Sequence, residues 1–497
     1  MVNLKKKNIG SAAIWKILEI GGTQLVSFLF QIILARLLFP EIFGLYAKVA
    51  IFINLFNVII ANSFNPGLIQ KQKVDELDYS TAFWATVLLG LVGYGFIFSL
   101  APVIAFWFDQ PLLIFLLRVY GINLLISGFT TTHYAIIARS LTFNLSFKSN
   151  LLSIVIAGVI GIFLAAFSFG IWSLIAFALI NHLVYGVMVV FFTKWKPQFS
   201  FSLTRCKSLI GFSNHIVKAI FINTVYANLV RLAIGYKSDV NLAYFNKAES
   251  FLLLLVAKID HTIHGVLFPT LSEFQNDPIR LKKLIKKAIK ISTYLVFPIV
   301  MGMFLIARPL VIVVLTYRWL AVIPIIQILA FDFALWPIHS VNIQAMKAIG
   351  RSDLYAKNVL IDKVIALCSV VIGLRFGLIG VAFAFVFASV LSLFIYSKPS
   401  KQFINYKLSE QLKDVLPNGV ITLVMGLFVF FAGYFITADV IRLIVQIVVG
   451  VVSYVVLSQK FKNEAYVYLV YFIEASLASR EQVKNEKLSK NRSKLLK

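Results

Sequence analysis

The sequence predicts an all-α polytopic membrane protein of about fourteen transmembrane helices, and three observations carry that prediction. Hydrophobic residues make up 60% of the chain and charged residues 14%, against roughly 45–50% and 25% in soluble domains. The apolar residues fall into runs of about 20, the length at which a helix crosses the hydrocarbon core. Lys and Arg gather in alternate connectors between those runs, the asymmetry that orients a membrane protein.

The first run, 12–36, follows Lys5, Lys6 and Lys7. It is too long for the 7–15-residue apolar region of a cleaved signal, so it reads as an uncleaved first span. Runs at 42–67, 80–107, 111–137, 149–167 and 170–193 complete a first set of six. A basic connector, 194–212, leads to a second set at 213–235, 241–268, 288–315, 320–346, 357–375 and 377–397. Two more spans, 415–436 and 438–457, are appended, and 458–497 forms a basic cytoplasmic tail. The apolar stretch Ala465–Ile473 in that tail is too short to span and suits the membrane interface.

With the N-terminus inside, the cytoplasmic connectors hold Lys71 and Lys73, Arg139 and Lys148, Lys194 to Lys207, Arg280 to Lys287, Lys347 to Lys357, and Lys398 to Lys413. The outer turns hold Lys237, Arg318 and Arg375 as single exceptions. The net charge of +26 is therefore topological information, and no nucleic-acid partner is expected. The two cysteines, Cys206 and Cys368, have no Cys or His neighbour at ligand spacing, so neither a disulfide nor a zinc site is implied. The outer loops are too short to present an acceptor domain, which argues against a membrane glycosyltransferase, ligase or polymerase. There is no Walker loop, nucleophile triad or dinucleotide fingerprint, so the chain reads as a non-enzyme without a cofactor.

The two sets of six resemble each other. Glu41 to Tyr46 parallels Asp239 to Tyr244, Asn65-Pro66-Gly67-Leu68 parallels Phe268-Pro269-Thr270-Leu271, Arg139-Ser140 parallels Arg351-Ser352, and Phe169-Gly170 parallels Phe376-Gly377. The offsets stay between 198 and 212 residues. Both copies start at the cytoplasmic side, so they are parallel repeats. The expected architecture is an N-lobe, 1–193, and a C-lobe, 213–397, pseudo-symmetric about the membrane normal with a pathway between them, as in many transporters.

The run Ala35-Arg36-Leu37-Leu38-Phe39-Pro40-Glu41-Ile42-Phe43-Gly44-Leu45-Tyr46, with Gly67 to Lys71 and Thr81-Ala82-Phe83-Trp84, resembles the opening of Wzx-type oligosaccharide flippases. These belong to the multidrug/oligosaccharidyl-lipid/polysaccharide exporter superfamily. Ala138 to Phe143 and Ala348 to Asp353 are similar to later segments of that family, and the likeness covers most of residues 1–400. It implies a two-lobed fold with a V-shaped cavity. It also implies alternating access for an undecaprenyl-diphosphate-linked oligosaccharide used in exopolysaccharide, capsule or O-antigen synthesis at the bacterial inner membrane, beside a polysaccharide polymerase.

A diphosphate-linked cargo requires cations in a hydrated cavity, and each charge at bilayer depth costs about 2.5–3.5 kcal/mol on insertion scales. Lys16, with Glu19 at i+3, lies in the inner third of span one, and Lys218 takes the matching place in span seven. Lys48 and Lys247 sit at outer-third depths in spans two and eight, and Arg231 lies late in span seven. Lys258 falls near mid-membrane and shares a face with His261 and His264. For the lysines nearer the interfaces, snorkelling is the competing reading. Asp332, Glu19 and Glu249 are the candidates for coupling to Na+ or H+. A drug or cation antiporter of the same superfamily should line its cavity with acids, whereas basic residues outnumber acids in spans one, two, seven and eight. A lipid II flippase stays compatible with these residues.

Overall fold

The computed structural model describes residues 9–275, 277–471 and 474. Within them every regular element is helical. The chain runs α1 (Ile9–Ile17), a π turn (Leu18–Gly22), α2 (Thr23–Leu37), α3 (Pro40–Ser63), α4 (Asn65–Gln70), α5 (Glu76–Trp107), α6 (Leu112–Arg139), α7 (Phe143–Ala166) and α8 (Ile171–Thr193). It continues through α9 (Leu203–Lys237), α10 (Asp239–Glu273), α11 (Pro278–Val314), α12 (Val322–Ala348), α13 (Ser352–Gly373), α14 (Gly377–Ile404), α15 (Leu408–Tyr434) and α16 (Asp439–Lys460). Among the described residues, 13 segments are long and apolar enough to cross a membrane. One of them, Asp353–Ile404, runs to 52 residues and is interrupted by a 3-10 turn at Leu374–Phe376, which divides it into α13 and α14. In hydrocarbon no water satisfies a backbone N–H or C=O, which is why each apolar run becomes a helix.

The chain divides into two compact units, Met1–Tyr244 with Val314–Arg318, and Phe245–Val313 with Trp319–Lys497. In the first, Val49 and Ile53 of α3, Ile97 of α5, Leu113, Leu117 and Leu124 of α6, and Ile175 of α8 form a buried core. Lipid is as apolar as these side chains, so close contact rather than exclusion from water holds the helices together. Gly90 of α5 and Gly128 of α6 make that contact possible. A Cβ at Gly90 would meet the Leu124 carbonyl oxygen at 2.7 Å, and one at Gly128 the Thr86 carbonyl oxygen at 2.8 Å. The Thr86 hydroxyl then donates to the Gly128 carbonyl at 2.9 Å.

In the second unit, Leu281, Ile285 and Ile289 of α11 pack with Ile338 and Val341 of α12, Leu393 of α14 and Val415 of α15. The tail's Ala465, Tyr466 and Leu469 pack beside Tyr294 and Tyr454, so this stretch rests on α11, α15 and α16.

The backbone repeats at matching places in the two units. Gly170 and Gly377, which precede α8 and α14, both have positive φ, 56° and 75°. Leu141 and Gly350 are also left-handed, at 54° and 78°. The next residues, Thr142 and Arg351, share nearly the same dihedrals as they open α7 and α13.

Candidate functional site

Three places within the spans bring ionisable side chains together with polar partners. The first is the π turn of span one. A π turn carries an extra residue per turn and commonly marks a working site. Here it lies directly after Lys16 and carries Glu19, whose side chain is 8% exposed. Lys16 Nζ pairs with Glu19 Oε2 at 2.8 Å, donates to Tyr134 Oη at 2.7 Å and lies 4.8 Å from the centre of the Phe143 ring. The other Glu19 oxygen accepts from the Ser146 hydroxyl, which lies 3.1 Å from Tyr185 Oη. One carboxylate thus ties span one to α6, α7 and α8. Lys16 remains 32% exposed at its side chain, and two of its three N–H donors are used, so it can still offer one to an anion.

The second place is the outer end of the first unit. Lys48 is 2% exposed and pairs with Asp239 Oδ1 at 2.7 Å. It also donates to Gln110 Oε1 at 3.0 Å and lies 4.5 Å from the Phe108 ring centre. Gln110 Nε2 donates to Asp239 Oδ2 at 2.7 Å, which closes a three-residue ring. Gly44 allows this closure, because a Cβ there would collide with the Asp239 backbone. Sequence reading found the lysine but missed Asp239 and Gln110. The available signal was an acid at the first residue of α10 with no other cation assigned to it.

The third place is the middle of the second unit. Asp332 of α12 hydrogen-bonds Ser389 of α14 and lies in the field of Glu249, Asp362 and Lys363. Asp362 of α13 accepts from the Ser392 hydroxyl and lies 3.5 Å from Lys363 Nζ. His339, two turns further along α12, lies with its ring tilted beside that of Tyr396, centres 6.0 Å apart, and its Nε2 is buried with no hydrogen-bond partner among the described residues. Asp260 of α10 accepts from Ser340 at 2.5 Å. Ser389 and Ser392, at i and i+3 on α14, went unnoticed in the sequence because serines in an apolar run carry no charge.

The remaining expected residues are scattered. Lys218 is exposed on α9, and Arg231 is half-buried on the same helix. Lys247 is buried on α10, 5.9 Å from the Trp319 ring centre, while Glu249 and Lys258 are half-buried. The side chains of His261 and His264, and the tail beyond residue 474, lie outside the described residues. Among the described residues no three His, Cys, Asp or Glu side chains are grouped to hold a metal ion.

The basic connectors carry a further cluster. Asp78 is fully buried and binds Lys71 Nζ at 2.6 Å and Arg205 at 3.0 Å, while Asp75 pairs with the same arginine at 3.0 Å. Asp75 and Asp78 form a capping box at the start of α5. The backbone N–H of Asp78, donated to Asp75, holds the Asp75 carboxyl below its usual range. Trp195 donates to Glu76, and the Gln198 and Ser202 N–H groups donate to Ser80 and Thr81, which stitches the 194–202 connector to α5.

Comparison with known proteins places this architecture. Residues 33–324, more than half of the chain, match the family described as polysaccharide biosynthesis protein. The chain belongs to that family. Among relatives of this polysaccharide biosynthesis protein, the succinoglycan biosynthesis transport protein ExoT of Rhizobium meliloti is 25% identical over 346 residues, 69% of each chain. The teichuronic acid biosynthesis protein TuaB of Bacillus subtilis is 24% identical over 416 residues, 81% of this chain and 85% of that one. Among solved structures, the lipid II flippase MurJ in an inward closed conformation matches with a TM-score of 0.72 at 17% identity, covering 91% of this chain and 99% of that one. The chain thus has the fold of the solved MurJ structure and is a multi-pass membrane protein of the polysaccharide biosynthesis family.

Proposed function

We propose that this protein is a flippase. It moves an undecaprenyl-diphosphate-linked oligosaccharide repeat unit from the cytoplasmic to the outer leaflet of the inner membrane by alternating access, for surface polysaccharide synthesis. Both termini lie in the cytoplasm, and a polysaccharide polymerase takes the product. The observation that carries this reading is Lys16. It is a membrane-embedded cation held on Glu19 and Tyr134 with a donor to spare, in a chain of the polysaccharide biosynthesis family.

An incoming diphosphate competes with Glu19 for Lys16, and Lys218 on α9 and Lys258 on α10 supply further cations. Lys247 and Arg231 serve the release side. Glu19 keeps its Ser146 hydrogen bond when the lysine turns to cargo, so the acid is never left bare. Asp332, Glu249 and Asp362 offer carboxylate density for a coupling Na+ or H+, supported by the Ser389 and Ser392 hydroxyls.

The test is complementation of a strain lacking its oligosaccharide flippase, scored by surface polysaccharide at matched membrane abundance. Wild type should restore the polymer, and Lys16→Ala and Lys258→Ala should not. Normal transport by both variants would remove the cationic assignment. Rescue of a strain depleted of its lipid II flippase, with no rescue of surface polymer, would establish that cargo instead, and drug resistance alone would establish an antiporter.

A further inference from the structure

A crevice of about 520 Å³ opens in the second unit where α15, the end of α16 and the following residues meet Lys290 of α11. Its floor is apolar, with Leu416, Val420 and Val424 along one face of α15 and Phe461 beside them. Leu416, Val420 and Phe461 are at least half exposed, which in a bilayer means open to lipid. Its rim is charged, formed by Lys290, Asp414, Lys462 and Glu464.

The rim acids are already committed. Asp414 binds Lys286 at 2.7 Å and accepts from Tyr406 at 2.8 Å, while Glu464 holds Lys290 at 2.6 Å. Lys462 has no carboxylate partner among the described residues, and it is fixed at the mouth in a left-handed conformation, φ 47°. Lys287, close by, faces the Tyr468 ring at 3.8 Å rather than an acid. The segments 282–290, 410–414 and 460–464 together hold eight lysines and three acids, a surplus of five positive charges (8 − 3). These segments lie at the end that the positive-inside rule assigns to the cytoplasm.

We propose that this crevice binds one anionic phospholipid of the cytoplasmic leaflet, its phosphate on Lys462 and an acyl chain laid along Leu416, Val420 and Val424. Charge selects the occupant. A zwitterionic headgroup would bring its own cation into a surface already five charges positive, whereas a singly negative phosphate meets one unpaired lysine. Basic pockets between helices at the cytoplasmic face suit anionic headgroups, with about 1 kcal/mol per lysine near the surface. The bound lipid bridges α15 and α16 to α11, so it fastens the two appended spans to the rest of the second unit.

The full-length protein, purified in a neutral detergent and stripped of native lipid, is titrated with dioleoylphosphatidylglycerol or dioleoylphosphatidylcholine, and bound lipid is counted by native mass spectrometry. Phosphatidylglycerol should bind roughly tenfold more tightly than phosphatidylcholine. Lys462→Gln, at an exposed position, should weaken phosphatidylglycerol binding about fivefold and leave phosphatidylcholine unchanged. Val420→Trp, which fills the floor, should weaken both. Equal binding of the two lipids, or undiminished phosphatidylglycerol binding by Lys462→Gln, would overturn the proposal. So would displacement of phosphatidylglycerol by equimolar undecaprenyl diphosphate, which would make the crevice a cargo site. Because the readout is lipid binding and not transport, a negative result leaves the flippase reading standing.

Discussion

Replacing Lys48 with methionine separates two roles that a buried lysine in a transporter can have. Its side chain is 3% exposed and that of its partner Asp239 is 15% exposed, and a 2.7 Å ion pair joins them. Gln110 bonds to both, at 3.0 Å and 2.7 Å. Removing one partner of a buried pair typically costs about 3–5 kcal/mol, because the other charge stays desolvated, whereas replacing both can be nearly neutral. Lys48→Met should therefore lower the thermal midpoint of the purified protein, followed by intrinsic fluorescence, and Asp239→Asn should do so comparably. The double variant Lys48→Met with Asp239→Asn should recover most of the loss. If the lysine is a structural clasp, the double variant also regains transport in the complementation assay. A double variant that is stable yet inactive would refute the clasp and return Lys48 to the cargo path. A double variant as unstable as the sum of the singles would refute the pairing itself.

Three further outcomes follow from the same contacts. Gly44→Ala should destabilise by about 1–3 kcal/mol, as overpacking does, since its Cβ would meet the Asp239 backbone; an unchanged midpoint would show that α3 and the start of α10 separate freely. Asp332→Asn should abolish any Na+ or pH dependence of transport while leaving protein abundance intact, and persistence of that dependence would move coupling to Glu19 or Glu249. The depressed carboxyl of Asp75 stabilises the start of α5 and its pairing with Arg205 above its unfolded value near pH ~4, and ceases to do so as pH falls through its lower folded value. Proteolysis in the 71–75 loop before α5 should accordingly stay flat from neutral pH down to about pH 4 and rise only in stronger acid; a rise near pH 6 would assign the stabilisation to another group.

Much of the fold was legible because membrane solvent makes element identity a local matter. A run of apolar residues in lipid has to satisfy its own backbone, so hydropathy alone placed the spans and kept Lys16, Lys48 and Asp332 within them. The match of Phe169-Gly170 with Phe376-Gly377 was also readable, and both glycines take positive φ before α8 and α14. The match of Arg139 with Arg351 was off by three residues in backbone terms: the left-handed positions are Leu141 and Gly350, a pattern that side-chain identity conceals.

The sequence by itself determined the solvent, the spans, the charge asymmetry and the inventory of embedded ionisable groups, since each depends only on residues near in the chain. Only the tertiary structure decided which partners those groups meet. Lys48 meets an aspartate 191 positions away (239 − 48), and Glu19 meets Ser146 across two different helices. Which helices touch depends on where a missing Cβ lets two backbones approach, as at Gly44 and Gly90. Hydropathy is nearly blind to that, because apolar helices present alike surfaces to lipid and to one another.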